Sequence, residues 1–225
     1  MSDFGAAYSH CKLALCDVIS SLTEHELRLN VPATPRWNVK DLFAHVVGIA
    51  VDFSTGNVAE VGKADWTQSQ VDSRSSMSVN ELIAEWNPAA EQVAGAMEYI
   101  HPAMAGLTLA DAVVHEHDLR NAVGRHGNRD GAPLELSLNT YARWANKRFK
   151  DQGHPALKVT SGGTTWNVGL GDPQATVEAP PFDMFRALAG RRTDEELSAF
   201  TWTGEREQLV PLISNYGKPS ASLGE

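Results

Sequence analysis

Apolar residues recur at intervals of three and four along roughly the first 150 residues, which is the spacing that covers one face of a helix. Asn38 with Asp41, and Ser78 with Glu81, have the spacing of capping boxes at helix starts. The pattern predicts a four-helix core with one added helix. The predicted helices cover about residues 2–22, 38–53, 78–101 and 108–123, and the added one starts at Pro133.

The pattern changes after Gly153. Between residues 157 and 180, apolar and polar residues alternate around Gly162 and Gly163, which is typical of short antiparallel strands joined by turns. Helical segments are expected again over about residues 182–189 and 208–213. The fold class is therefore mainly α with a smaller α+β part. We expect a four-helix bundle domain over residues 1–150 and a small α+β domain over residues 151–225.

Charge and hydropathy exclude some partners. The 225-residue chain has a net charge of −9 and no run of Lys or Arg, so it lacks the basic face that nucleic acid requires. The longest strongly apolar run, Val46 to Val51, is too short to span a bilayer. Asp3, His10 and Lys12 interrupt the N-terminal segment, which therefore does not resemble a signal peptide. We expect a cytoplasmic protein that binds neither nucleic acid nor membrane.

The two cysteines, Cys11 and Cys16, agree with that location. They lie five positions apart on a predicted helix, so they are rotated by roughly 140° and point to different faces. A disulfide between them is excluded locally, and free thiols are typical of a reducing compartment.

Three residues on two predicted helices form a candidate metal site. His45 shares a helical face with Leu42 and Ile49, so it points inward. Asp111 and His115 lie four apart on a later helix and stack on one face. Two imidazoles and a carboxylate can hold one divalent cation, and three protein ligands with an open position is the catalytic arrangement. Ligand softness favours zinc, with nickel, iron or manganese also possible.

Each of these residues also has a purely structural interpretation. His45 alone would more often be a core histidine that donates one hydrogen bond. Thr108 and Asp111 also have capping-box spacing, so Asp111 would then only stabilise a helix start. The Asp-x-x-x-His spacing by itself is a weak signal.

Neighbouring polar residues offer further roles. Asp118 lies near the His115 face and is predicted to orient that imidazole. Glu116 and His117 fall on other faces and are expected to be solvated.

Three stretches, RWNVKDLFAHVVG, VVHEHDLRNAVG and FRALAGRRTDEELSAFTWTGE, resemble in order the landmarks of the DinB-like family of mycothiol-dependent maleylpyruvate isomerases. The resemblance extends from about residue 14 to about residue 204. It implies an N-terminal DinB-like bundle whose metal is bound by one histidine and an acid-x-x-x-His pair, here His45, Asp111 and His115. It also implies mycothiol as the thiol cosubstrate and a small-molecule substrate.

The resemblance assigns a catalytic role to Arg74, in the segment WTQSQVDSRSS, which matches an arginine required in the isomerase. The acidic ligand of the isomerase is a glutamate, whereas this chain has the shorter Asp111. The implied activity is therefore either cis–trans isomerisation of maleylpyruvate or thiol transfer to another electrophile. The implied protein is a monomer or a homodimer.

Two other classes of function stay open. The chain could be a metal-dependent hydrolase, with Asp118 or Glu116 as the base. It could also be a non-catalytic protein of the same fold that binds a metal or a ligand. A requirement for added thiol distinguishes the mycothiol-dependent enzyme from both of these classes.

Overall fold

The computed structural model describes residues 3–225, which divide into two compact units, one up to Asn128 and one from Arg129 onwards. The first unit contains six helices: α1 (Phe4–Ser20), α2 (Glu24–Leu27), α3 (Val39–Thr55), α4 (Ala64–Asp72), α5 (Val79–Ala96) and α6 (Pro102–Ala122). The second unit contains α7 (Ala132–Gln152), β1 (Leu157–Ser161), β2 (Thr164–Val168), β3 (Ala175–Glu178), α8 (Pro181–Leu188), α9 (Asp194–Ser198), β4 (Thr201–Gly204) and a 3-10 turn (Val210–Leu212).

Four long helices of the first unit form a bundle. Helix α3 packs on α5 and α6, and α1 packs on the same two helices. Trp86 and Phe43 are fully buried in its core, with their rings edge to face at 5.6 Å between centroids. The predicted fold class, mainly α with a smaller α+β part, is thereby confirmed.

The structure confirms both predicted capping boxes. The Asn38 side chain accepts from the Asp41 amide while the Asp41 carboxylate accepts from the Asn38 amide, and Ser78 and Glu81 do the same for α5. Each box satisfies two backbone donors that the first turn of a helix leaves without a partner.

Helix α6 begins earlier than predicted. Pro102 occupies its first turn, and the imidazole of His101 accepts from the Ala103 amide as the cap. Thr108 therefore lies inside the helix, and its hydroxyl donates to the Met104 carbonyl at 3.0 Å. The interpretation of Asp111 as a capping residue is wrong, because the helix start lies more than two turns before it.

The polar stretch between residues 54 and 76 contains helix α4, which the apolar spacing did not indicate. Its buried residues are Trp66, Gln70 and Val71, and the helix packs on α3. This helix matters for the candidate site because it supplies Gln70.

The sheet of the second unit has the strand order β2-β1-β3-β4. The hairpin of β1 and β2 is antiparallel, as predicted, and turns at Gly162 and Gly163. β3 runs parallel to β1, however, and not antiparallel. The segment after β2 carries the chain back to the start of β1, where the Gln174 amide donates to the Ala156 carbonyl at 2.9 Å.

Helix α7 packs on α8 and β2 within the second unit. The predicted domain boundary after residue 150 stays a prediction. Across residues 3–225, no helix combines the length and the apolar character needed to cross a bilayer.

Candidate metal centre

Helices α3 and α6 bring three potential ligands together. One ligand atom from each of His45, Asp111 and His115 lies within 4.8 Å of the others. The two imidazole rings are nearly perpendicular, with centroids 5.1 Å apart. Both histidines are buried, whereas the Asp111 side chain is 36% exposed. The cluster therefore has one side that solvent reaches, next to the carboxylate.

A hydrogen-bond chain fixes the orientation of His45. The Gln70 amide nitrogen donates to the Asp52 carboxylate at 2.7 Å, so its oxygen faces His45 Nδ1, also at 2.7 Å. Because an amide oxygen only accepts, Nδ1 of His45 carries the proton and Nε2 keeps its lone pair. Nε2 is therefore the atom of His45 that can bind a cation.

His115 is oriented in the same way by its own helix. Its Nδ1 lies 3.1 Å from the carboxylate of Asp118, which is completely buried. The carboxylate accepts the Nδ1 proton, so Nε2 is left facing Asp111 Oδ1 at 3.6 Å. The contact agrees with the predicted role of Asp118 in orienting the imidazole.

This donor set fits a divalent cation. Two imidazoles with free Nε2 lone pairs and one carboxylate are the borderline ligands that zinc and similar metals accept. Burial, with a contribution from the neighbouring His115, lowers the pKa of His45 to about 4. The imidazole is therefore neutral at physiological pH, the form in which it can bind a metal.

Arg74 lies beside this network and is not one of the clustered donors. Its guanidinium forms a bidentate ion pair with Glu85, with Nε–Oε2 and Nη2–Oε1 distances of 2.7 and 3.0 Å. Its Nη1 donates to the backbone carbonyl of Gln70 at 3.1 Å. Arg74 thus stabilises the position of Gln70, the residue that orients His45.

The sequence did not single out Gln70, Asp52 or Glu85. Gly48 could have indicated the contact of Gln70 with α3, because it lies one turn after His45 on the same face of that helix. A Cβ added at Gly48 would come within 2.5 Å of the Gln70 side chain. A glycine inside a helix, where alanine is about 1 kcal/mol better, indicates close approach by another element.

The sequence predicts that Glu116 and His117 are solvated, but both residues are buried, so this prediction is wrong. The Glu116 carboxylate accepts from Arg120 and Asn128, each at 2.8 Å, and from the Cys11 thiol at 3.4 Å. A second buried polar cluster, distinct from the donors, therefore occupies the adjacent face of α6.

Both cysteines are free. Burial and the nearby Glu116 raise the pKa of Cys11 well above its ordinary value, and burial also raises the pKa of Cys16. Neither thiol is thus activated as a nucleophile.

The fold and the site define a helical-bundle protein with a three-donor site suited to a divalent cation. Residues 10–120, which contain all three donors, match the family described as the mycothiol maleylpyruvate isomerase N-terminal domain. Residues 10–120 therefore belong to this domain family, as the sequence resemblance indicated.

Two solved structures share the fold. The crystal structure of the mycothiol-dependent maleylpyruvate isomerase is 15% identical to this chain with a TM-score of 0.65, covering 91% of this chain and 94% of the other. A histidine-to-alanine mutant of that isomerase gives the same identity and coverage with a TM-score of 0.64. No curated protein matches the sequence significantly.

Proposed function

We propose that this chain is an enzyme that uses mycothiol as cosubstrate and binds a divalent cation, zinc in the first place, through His45, Asp111 and His115. The observation that carries the proposal is the convergence of the three donors within 4.8 Å, with Nδ1 of both imidazoles already engaged. Membership of the mycothiol maleylpyruvate isomerase N-terminal domain family supports the choice of thiol. A cytoplasmic location and a monomeric or homodimeric state belong to the same proposal.

A divalent cation in such a site lowers the pKa of a thiol that contacts it. The protein's part is to hold the ligands ready. Gln70 and Asp118 keep both imidazoles in the tautomer that leaves the Nε2 lone pair free. Small molecules reach the cluster from the solvent-exposed side next to Asp111. Burial raises the pKa of both Cys11 and Cys16, so we assign the reacting sulfur to an external thiol and not to either cysteine.

Two reactions share this arrangement. In both, the sulfur of the thiol bonds to an electrophilic carbon. In the isomerisation of maleylpyruvate the sulfur leaves again after rotation about the carbon–carbon bond, whereas in S-transfer it stays.

The isomerase reaction gives Arg74 a role as the residue that binds a substrate carboxylate. The family position of Arg74 supports this role. Arg74 is paired with Glu85 in a bidentate contact. To bind a substrate carboxylate, its guanidinium must release the Glu85 carboxylate or contact both carboxylates at once.

Within residues 3–225, no contact favours the hydrolase alternative. The carboxylate of Glu116 is bound by Arg120 and Asn128, and that of Asp118 by His115. Both candidate bases are thus already engaged by other side chains.

The test is the metal content of the purified protein, measured for the wild type, for His115→Ala and for His10→Ala, which changes an exposed histidine of α1. We expect nearly one equivalent of metal in the wild type and in His10→Ala, and a loss in His115→Ala. Turnover of maleylpyruvate or another electrophile should require mycothiol.

A wild type without metal, even after reconstitution with zinc or nickel, would contradict the proposed site. Turnover without thiol would instead favour the hydrolase.

A further inference from the structure

A cavity of about 390 Å³ lies in the first unit, between the C-terminal ends of α3 and α5 and the N-terminal half of α6. This volume is within the range of small-molecule sites, about 300–1,000 Å³. Seven of its ten lining residues are apolar: Phe53, Val58, Val93, Ala96, Met97, Ile100 and Met104. The other three are polar and uncharged: Ser54, Gln92 and Thr108.

The cavity adjoins the candidate metal centre. Thr108 in its wall precedes Asp111 by three positions on α6, so the two share a helical face about one turn apart. Phe53, another lining residue, directly follows Asp52, the residue at which the hydrogen-bond chain from His45 ends. The cavity wall therefore comes within about one helical turn of Asp111, the part-exposed donor of the cluster.

The lining does not suit a dicarboxylate. None of the ten lining residues carries a charge, and a carboxylate placed among apolar groups loses its hydration without gaining a cationic partner. The guanidinium of Arg74 is not part of the lining and is paired with Glu85. An uncharged hydrocarbon body, in contrast, gains free energy from burial here.

The polar groups of the lining suit a single carbonyl oxygen. The hydroxyls of Ser54 and Thr108 already donate to the carbonyls of Val51 and Met104 in their own helices. The carboxamide of Gln92 is the lining group whose N–H can donate to a ligand.

We propose that this cavity binds the hydrocarbon body of an uncharged α,β-unsaturated carbonyl compound, to which the enzyme adds its thiol. This inference rests on the proposed function and selects S-transfer over isomerisation of a dicarboxylate. The thiol sulfur forms a bond to the β-carbon, the π bond of the alkene breaks, and the thiol proton ends on the α-carbon. The product is a thioether, and no oxidant or reductant is needed.

Binding is tested first, on the metal-loaded protein without thiol, by titration calorimetry with 2-octanone and with succinate. Val58→Glu places a carboxylate in the lining at a residue that is 44% exposed, and Val61→Glu is the matched control, 49% exposed and outside the lining. We expect 2-octanone to bind at least about tenfold more tightly than succinate, and Val58→Glu to weaken that binding by about tenfold because the new charge must be desolvated. Val61→Glu should bind like the wild type, and thermal melts should show all three proteins folded.

Turnover is measured next, as mycothiol-dependent conjugation of 2-octenal beside isomerisation of maleylpyruvate. Conjugation that falls in Val58→Glu and persists in Val61→Glu supports the inference. Thiol-dependent turnover of maleylpyruvate, without binding of 2-octanone or conjugation of 2-octenal, overturns the inference and leaves the proposed function standing. Absence of all thiol-dependent turnover contradicts the proposed function and, with it, the reaction assigned to the cavity.

Discussion

Each imidazole of the candidate metal centre is held at Nδ1 by a side chain with a different origin. His115 uses Asp118, three positions later on its own helix, whereas His45 uses Gln70 from α4. The first contact follows from helical geometry alone, since positions i and i+3 are neighbours on a helix. The second depends on how two helices pack.

Replacing Asp118 should weaken metal binding without removing a ligand. For Asp118→Ala we expect zinc affinity to fall by about 10- to 100-fold, because His115 loses the partner that fixes its tautomer and orientation. Asp118→Asn should recover most of the affinity, since its amide oxygen can still accept from Nδ1. The dissociation constant is measured by competition with a chromogenic chelator.

Asp17→Ala, at an exposed carboxylate of α1, serves as the control and should bind zinc like the wild type. Unchanged zinc affinity in Asp118→Ala would show that this carboxylate does not support the site.

The different origins of Asp118 and Gln70 explain what could be predicted at the residue scale. Asp111, His115 and Asp118 could be grouped from spacing along one helix, and the structure places them together. Gln70 could not, because its contact with His45 crosses 25 positions and α4 shows no clear apolar spacing. The role of the three donors as metal ligands stays a prediction.

At the scale of elements, one sequence pattern gave two different outcomes. Asn38 with Asp41 forms a capping box, whereas Thr108 with Asp111 has the same spacing inside a helix. The backbone amides near Asn38 lack a carbonyl from a preceding turn, but those near Thr108 are already bonded within α6. Pro102, which suits the first turn of a helix, was the better indicator of where α6 begins.

Substitution of the two residues should separate these cases. Asn38→Ala should lower the free energy of unfolding by about 1 kcal/mol, the usual cost of losing a cap. Thr108→Val, which keeps the shape and removes only a hydroxyl bonded to its own helix, should change it by about 0.5 kcal/mol or less. Urea denaturation followed by circular dichroism gives both values. An equal loss in the two variants would mean that Thr108 has a stabilising role beyond its helix.

At the scale of the whole molecule, the change of periodicity near Gly153 was enough to predict the fold class. Local spacing distinguishes helix from strand, and the hairpin of β1 and β2 follows from two adjacent glycines. The parallel pairing of β1 with β3 was missed, because it depends on contacts between segments that local sequence does not encode. The same limit applies to β4, which pairs with β3 from more than 20 residues away.

The second unit contains a buried ion pair that local patterns could not indicate either. The Glu225 carboxylate contacts both Arg186 and Arg192, with the Nε of Arg186 at 2.8 Å from Oε2. The side chains of Arg186 and Glu225 are 0% and 2% exposed. Arg192 also pairs with Asp183 of α8 at 2.9 Å, so its side chain joins α8 to Glu225.

Removing that carboxylate should destabilise the second unit strongly. Glu225→Ala removes the carboxylate that pairs with the buried guanidinium of Arg186, and breaking a buried ion pair from one side costs about 3–5 kcal/mol. Glu207→Ala, at an exposed carboxylate, should change the free energy of unfolding by less than about 0.5 kcal/mol. Differential scanning calorimetry measures the loss of stability. Zinc affinity should be the same in both variants, because His45, Asp111 and His115 all belong to the first unit. If Glu225→Ala is as stable as the control, water replaces the carboxylate at little cost and the ion pair is not a determinant of stability.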